Sequence, residues 1–70
     1  MYDYSALRRR ITVSCGTQVE FAKKMGLSER SVTLKLNNKR FFRQPEISKA
    51  VQVLGLSESD IPVYFFRVKE

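Results

Sequence analysis

No two side chains in this sequence combine into a nucleophile and the base that would activate it. Histidine is absent, and with it imidazole catalysis, imidazole ligation of metals and a charge switch near neutral pH. The one cysteine, Cys15, has no partner for an internal disulfide, which fits a reducing compartment. It reads as a small, half-covered residue at a helix end rather than as a reactive thiol. One thiol and scattered carboxylates make no zinc site. The chemistry left to the chain is recognition by hydrogen bonds, charge and apolar contact. No enzyme activity, metal, cofactor or small-molecule substrate is expected.

The spacing that carries recognition is Gln18-x3-Ala22-x3-Gly26-Leu27-Ser28-x3-Val32. Two helices crossing at roughly 90–120° through a short turn need a small residue where they touch, and Ala22 supplies it. The turn needs a backbone that tolerates positive φ, hence Gly26. Leu27 and Val32 anchor the second helix inward, so its other face projects into solvent. A helix held this way has the dimensions to enter the major groove of B-DNA. Any one of these residues is weak, but the six together predict a helix-turn-helix at about Gln18–Asn37.

Charge agrees with a polyanionic partner. Thirteen Lys and Arg against seven Asp and Glu give a net charge of +6 and a pI near 9.9. Nucleic acid is the usual partner of such a chain, although a basic surface also serves solubility. No apolar run approaches the roughly 18 residues of a membrane span. Met1-Tyr2-Asp3-Tyr4 lacks the apolar core of a signal peptide.

The elements that must position this motif are helical from end to end. With 70 residues there is room for one domain, and 43% hydrophobic residues with three Tyr and five Phe are enough for a compact core. Asp3 is placed to cap a first helix with Tyr4, Leu7 and Ile11 on one stripe, most of Arg8-Arg9-Arg10 off it, and Gly16 at its end. Thr17 and Glu20 form a capping box for a second helix whose Phe21, Ala22 and Met25 face inward. Ser28 caps a third helix with Val32 and Leu36 inward, followed by a polar loop at Asn38–Arg43. Pro45 suits the first turn of a fourth helix, where Ile47, Ala50, Val51 and Leu54 make the stripe and Gly55 ends it. Residues 61–70 fit either a short helix from Pro62 or an extended tail that pairs with another chain. Tyr64, Phe65 and Phe66 are expected to close the core. The fold class is all-α, a small bundle of four to five helices.

The motif resembles the helix-turn-helix of phage repressors and Cro proteins. The whole chain is similar to the small early regulators of temperate phages that control the choice between lysis and lysogeny. Tyr2-Asp3-Tyr4-Ser5-x-Leu7, Gly16-Thr17-Gln18, Leu34-Lys35-Leu36-Asn37-x-Lys39-Arg40 and Tyr64-Phe65-Phe66 extend the likeness over almost all of the sequence. Some members of that group bind operator DNA as Cro does, and others are modulators of repression that bind the phage repressor protein. For the first kind, the resemblance implies base-edge contacts from Ser28, Glu29, Arg30 and Thr33, with Arg30 bidentate to guanine. It implies phosphate contacts from Gln18, Asn37, Asn38, Lys39 and Arg40. Double-stranded operator DNA would be the partner, and a homodimer is expected because one helix reads only a few base pairs. The site of action would be the cytoplasm of a bacterial host.

The residues leave the partner of the third helix open. Glu29 near the front of that helix is repelled by phosphate unless it accepts from a cytosine amine. Leu34 lies two residues from both Val32 and Leu36, so it points away from their core face. It suits a thymine methyl, a protein surface or partial cover by the loop. Of Phe41 and Phe42, one ring is expected under the loop and the other exposed. Glu29, Arg30, Leu34 and Phe41 thus form a second candidate surface, one that would dock on a phage repressor protein.

Overall fold

The computed structural model describes residues 1–69. Five helices follow in order: α1 (Ser5–Cys15), α2 (Gln18–Met25), α3 (Glu29–Leu36), α4 (Gln44–Leu54) and α5 (Ile61–Phe65), with a single 3-10 turn at Glu58–Asp60 before α5. This is the all-α bundle the periodicity predicts. α1 packs on α2, α4 and α5, and α2 packs on α3 and α4. Leu7, Phe21, Val32, Leu54 and Phe65 are the largest side chains wholly withdrawn from water, joined by Tyr4, Ile11, Ala22, Met25, Leu36 and Ala50.

Local signals set most helix ends. The Thr17 hydroxyl accepts from the Glu20 amide at 3.1 Å and the Ser28 hydroxyl from the Ser31 amide at 3.1 Å. Only half of the expected Thr17–Glu20 box forms, because the Glu20 carboxylate turns to Lys23 at 3.4 Å instead. Asp3 stands one residue earlier than a cap: Tyr4 occupies the cap position, and the Asp3 carboxylate accepts from the Ser5 amide and hydroxyl. These two bonds from Ser5 hold the Asp3 carboxyl below its ordinary range.

Long-range contacts set the remaining ends. The last carbonyls of a helix have no partner of their own and carry the negative end of its dipole. Arg8 on α1 donates to the Leu36 carbonyl at 3.2 Å and to the Asn37 side chain at 2.8 Å, closing α3. Arg10 donates to the Leu54 carbonyl through Nε at 3.0 Å and Nη2 at 2.8 Å, closing α4. Two cations of the Arg8-Arg9-Arg10 run are therefore structural.

The C-terminal segment is first helical and then extended. Residues 61–65 are helical, beginning at Ile61 rather than Pro62. The chain then runs antiparallel to its own N-terminus, with Tyr2 opposite Val68, the Asp3 amide on the Arg67 carbonyl at 2.7 Å and the Lys69 amide on the Met1 carbonyl at 2.9 Å. The extended residues thus pair with the N-terminus of their own chain. Of the three rings expected in the core, only Phe65 is fully buried; Tyr64 is half-buried and Phe66 is exposed.

Candidate functional site

The turn between α2 and α3 is built as the spacing predicts. Gly26 takes the left-handed conformation at φ 71°, its amide donates to the Lys23 carbonyl, and the Leu27 amide reaches back to the Ala22 carbonyl at 2.9 Å. This six-to-one closure is the Schellman arrangement, in which a side chain at Gly26 would be strained. Phe21, Ala22, Met25, Val32 and Leu36 lie inside. α3 consequently shows the solvent a face that starts at Ser28, Glu29 and Arg30.

Along that face the expected contact residues separate into two groups. Glu29 and Arg30 are exposed, and neither has a side-chain hydrogen bond or ion pair among the described residues. Glu29 lies in the first turn of α3, where its charge complements the helix dipole whatever else it does. Lys39 and Arg40 are likewise exposed and unpaired. The other group is occupied internally. The Gln18 amide donates to the Thr33 hydroxyl at 2.6 Å, so the residue expected on phosphate and one expected on a base edge are spent on each other. The Ser28 hydroxyl caps α3, and the Asn37 side chain accepts from Arg8.

Asn38 corrects the reading of the loop most clearly. It has φ 61°, the one positive φ outside glycine among the described residues. Its amide donates to the Lys35 carbonyl at 3.2 Å and the Lys39 amide to the Leu34 carbonyl at 2.8 Å, a second Schellman closure with asparagine in the glycine position. The Asn38 side chain accepts from the Tyr2 amide at 2.8 Å and donates to the Tyr2 carbonyl at 2.9 Å. Rather than reaching outward, Asn38 stops α3 and ties it to the N-terminal segment at Tyr2.

Lys35 is a structural residue that the sequence pattern did not single out. It is 5% exposed on the inward side of α3, and its ammonium donates to the Phe41 carbonyl at 3.1 Å and meets the Glu46 carboxylate at 3.1 Å. Glu46 also accepts from the Arg43 amide at 2.8 Å, which caps α4. Burial alone would raise the Glu46 carboxyl, but the Arg43 amide and the Lys35 ammonium outweigh it and hold the group below its ordinary value. The available signal was positional, since Lys35 is three residues past Val32 and shares its inward stripe.

Two apolar residues complete the face. Leu34 is half-buried, partly covered rather than fully outward. Phe42 packs edge-on between Tyr4, at 5.5 Å, and Phe65, at 5.2 Å, whereas Phe41 is 81% exposed. No group of three or more His, Cys, Asp or Glu that could hold a metal ion stands together among the described residues. No described helix is long and apolar enough to cross a membrane.

These features define a small all-α domain in which a short turn joins α2 to α3, and α3 shows a face that mixes free charge and apolar surface. The chain belongs to the family described as protein of unknown function (DUF739), whose model matches residues 1–68. Among solved structures it is similar to the solution structure of the modulator of repression (MOR) of the temperate bacteriophage TP901-1 from Lactococcus lactis. The two are 57% identical with a TM-score of 0.83, over 97% of this chain and 95% of that one. No sequence among the curated proteins matches the chain. The resemblance to phage regulatory proteins holds at that breadth, and the likeness falls on the modulator side rather than the Cro side.

Proposed function

We propose that this chain is a phage regulatory protein of the modulator-of-repression type. It acts without catalysis, by binding a phage repressor protein through the outward face of α3 and the loop behind it. The observation that carries this reading is the 57% identity, over 97% of the chain, to a phage modulator of repression.

The chemistry of the face supports the same choice. Of the nine residues expected on operator DNA, Gln18, Ser28, Thr33, Asn37 and Asn38 use their side chains inside the domain. These bonds fix the side chains toward the domain and reduce the donors and acceptors left for base edges and phosphates. Arg8, Arg10 and Lys35 are also committed internally, so three of the thirteen Lys and Arg are taken from the supply for phosphate. What remains outward is Glu29, Arg30, Lys39 and Arg40, with part of Leu34 and Phe41. Aromatic and Arg anchors beside apolar surface are the composition of a protein hot spot.

Binding measurements on the purified chain test this. The expected result is a stable complex with the full-length repressor of the same phage, seen by size-exclusion chromatography with light scattering. Duplex operator fragments should not shift with the chain alone. Within that complex Leu34→Ala should weaken binding more than Arg30→Ala. A shift of operator DNA by the chain alone, falling steeply with salt and without any repressor complex, would overturn the reading in favour of Cro-like operator binding.

A further inference from the structure

We propose that Phe41 is the anchor of the protein interface, inserting its ring into an apolar pocket with an acidic rim on the repressor. The inference rests on the function proposed above and states how the same surface engages its partner.

An exposed hydrophobic side chain means little by itself. Met1 and Val13 are each 79% exposed, and scattered cases of this kind are ordinary. What sets Phe41 apart is how its backbone is held. On one side the Lys39 and Arg40 amides both donate to the Leu34 carbonyl, at 2.8 and 3.3 Å. On the other side the ring of Phe42 is fixed between Tyr4 and Phe65. Between them the buried Lys35 ammonium holds the Phe41 carbonyl itself at 3.1 Å. The carbonyl is pulled inward and the ring stands outward. With the backbone that carries it already fixed, the ring has only its own side-chain rotations to lose on docking, which lowers the entropic penalty at an interface.

The neighbours of the ring indicate the chemistry of the pocket. Lys39 and Arg40, immediately before it, are exposed and without an ion pair among the described residues. Carboxylates around an apolar pocket would complement them. Duplex DNA fits poorly. Its base faces are stacked, so a ring reaches one only by wedging a step open at a few kcal/mol.

Titrating the full chain into the full-length repressor by calorimetry at two salt concentrations decides the matter. Phe41→Ala should weaken binding about tenfold or more, as loss of a central anchor does, with an unchanged melting temperature. Phe41→Leu should retain most of the affinity. Lys39→Gln with Arg40→Gln should flatten the salt dependence. If the unaltered chain binds and Phe41→Ala binds equally well, the anchor is refuted and the proposed function stands. If the unaltered chain does not bind the repressor, the proposed function fails and the anchor with it. Loss of binding to operator duplex in Phe41→Ala, with repressor binding intact, would reassign the ring to nucleic acid and also refute the anchor.

Discussion

The chain contains two Phe-Phe pairs, Phe41-Phe42 before α4 and Phe65-Phe66 at the end of α5, and each splits its rings between core and solvent. The inward rings meet: Phe42 and Phe65 lie edge-on at 5.2 Å. The outward rings differ. Phe66 is 48% exposed and leans edge-on against Tyr2 at 6.1 Å, while Phe41 is nearly bare. The exposure of Phe66 is thus explained inside the molecule, by the strand that closes the two termini together. That of Phe41 is not, and a surrounding set of hydrogen bonds keeps it so. An apolar group in water is informative when the structure works to hold it there.

The largest test of this contrast is stability. Phe65→Ala should cost about 3–5 kcal/mol, the range for an aromatic ring removed from a core. Phe42→Ala should cost somewhat less, because its ring is only half-buried. Phe66→Ala should cost about 1 kcal/mol, the worth of an aromatic pair, and Phe41→Ala should stay within about 0.5 kcal/mol of the unaltered chain. Urea unfolding followed by circular dichroism measures all four. A Phe41→Ala loss as large as that of Phe66→Ala would show that the ring has an internal role and would weaken its assignment to an interface.

Which ring of each pair turns inward was only partly legible in the sequence, and the reason is physical. Signals that act within one helical turn were readable: the caps at Thr17 and Ser28, the stop at Gly26 and Pro45 in the first turn of α4 all formed. So did the split of Phe41 and Phe42. The contacts that escaped reading join residues far apart, as in Arg8 to Leu36, Arg10 to Leu54 and Asn38 to Tyr2. No spacing rule announces those, because they depend on which helices pack together. The candidate site suffered most for this reason. Its charged members, Glu29, Arg30, Lys39 and Arg40, are where the pattern put them. Its neutral polar members, Gln18, Thr33, Asn37 and Asn38, look the same in sequence whether they face a ligand or a neighbouring helix.

A smaller effect separates the two outward rings by what supports them. Lys35 bridges the Phe41 carbonyl and Glu46, and among the described residues no buried cation serves Phe66. Lys35→Met keeps the apolar stem but leaves the carbonyl and carboxylate without their donor. Breaking a fully buried pair costs more, but the Glu46 side chain keeps 19% exposure and the Arg43 amide. The expected loss is therefore about 1–2 kcal/mol. Amide hydrogen exchange over Lys39–Arg43 should quicken in this variant, while that of the strand at Arg67–Lys69 stays unchanged. Equal quickening in both places would mean that the loop has no independent support.

The smallest effect is the pH dependence of the same support. Glu46 is held below its ordinary value of 4.5, so its ionised form is stabilised by folding. A carboxylate of this kind contributes stability that is full above the unfolded value and is lost as pH falls through the folded one. Glu46→Gln retains an oxygen for the Arg43 amide but gives up the charge beside Lys35. It should be less stable than the unaltered chain at neutral pH, with the gap closing below about pH 4.5 as the carboxylate protonates. Asp3 and Asp60 are also lowered, the first chiefly by the Ser5 hydroxyl and the second chiefly by the Ser57 amide, so both proteins lose stability in acid. Only the difference between them reports on Glu46. A gap that stays constant through the acid range would mean that the Glu46 charge contributes nothing to folding. The Phe41 carbonyl would then depend on the Lys35 hydrogen bond alone.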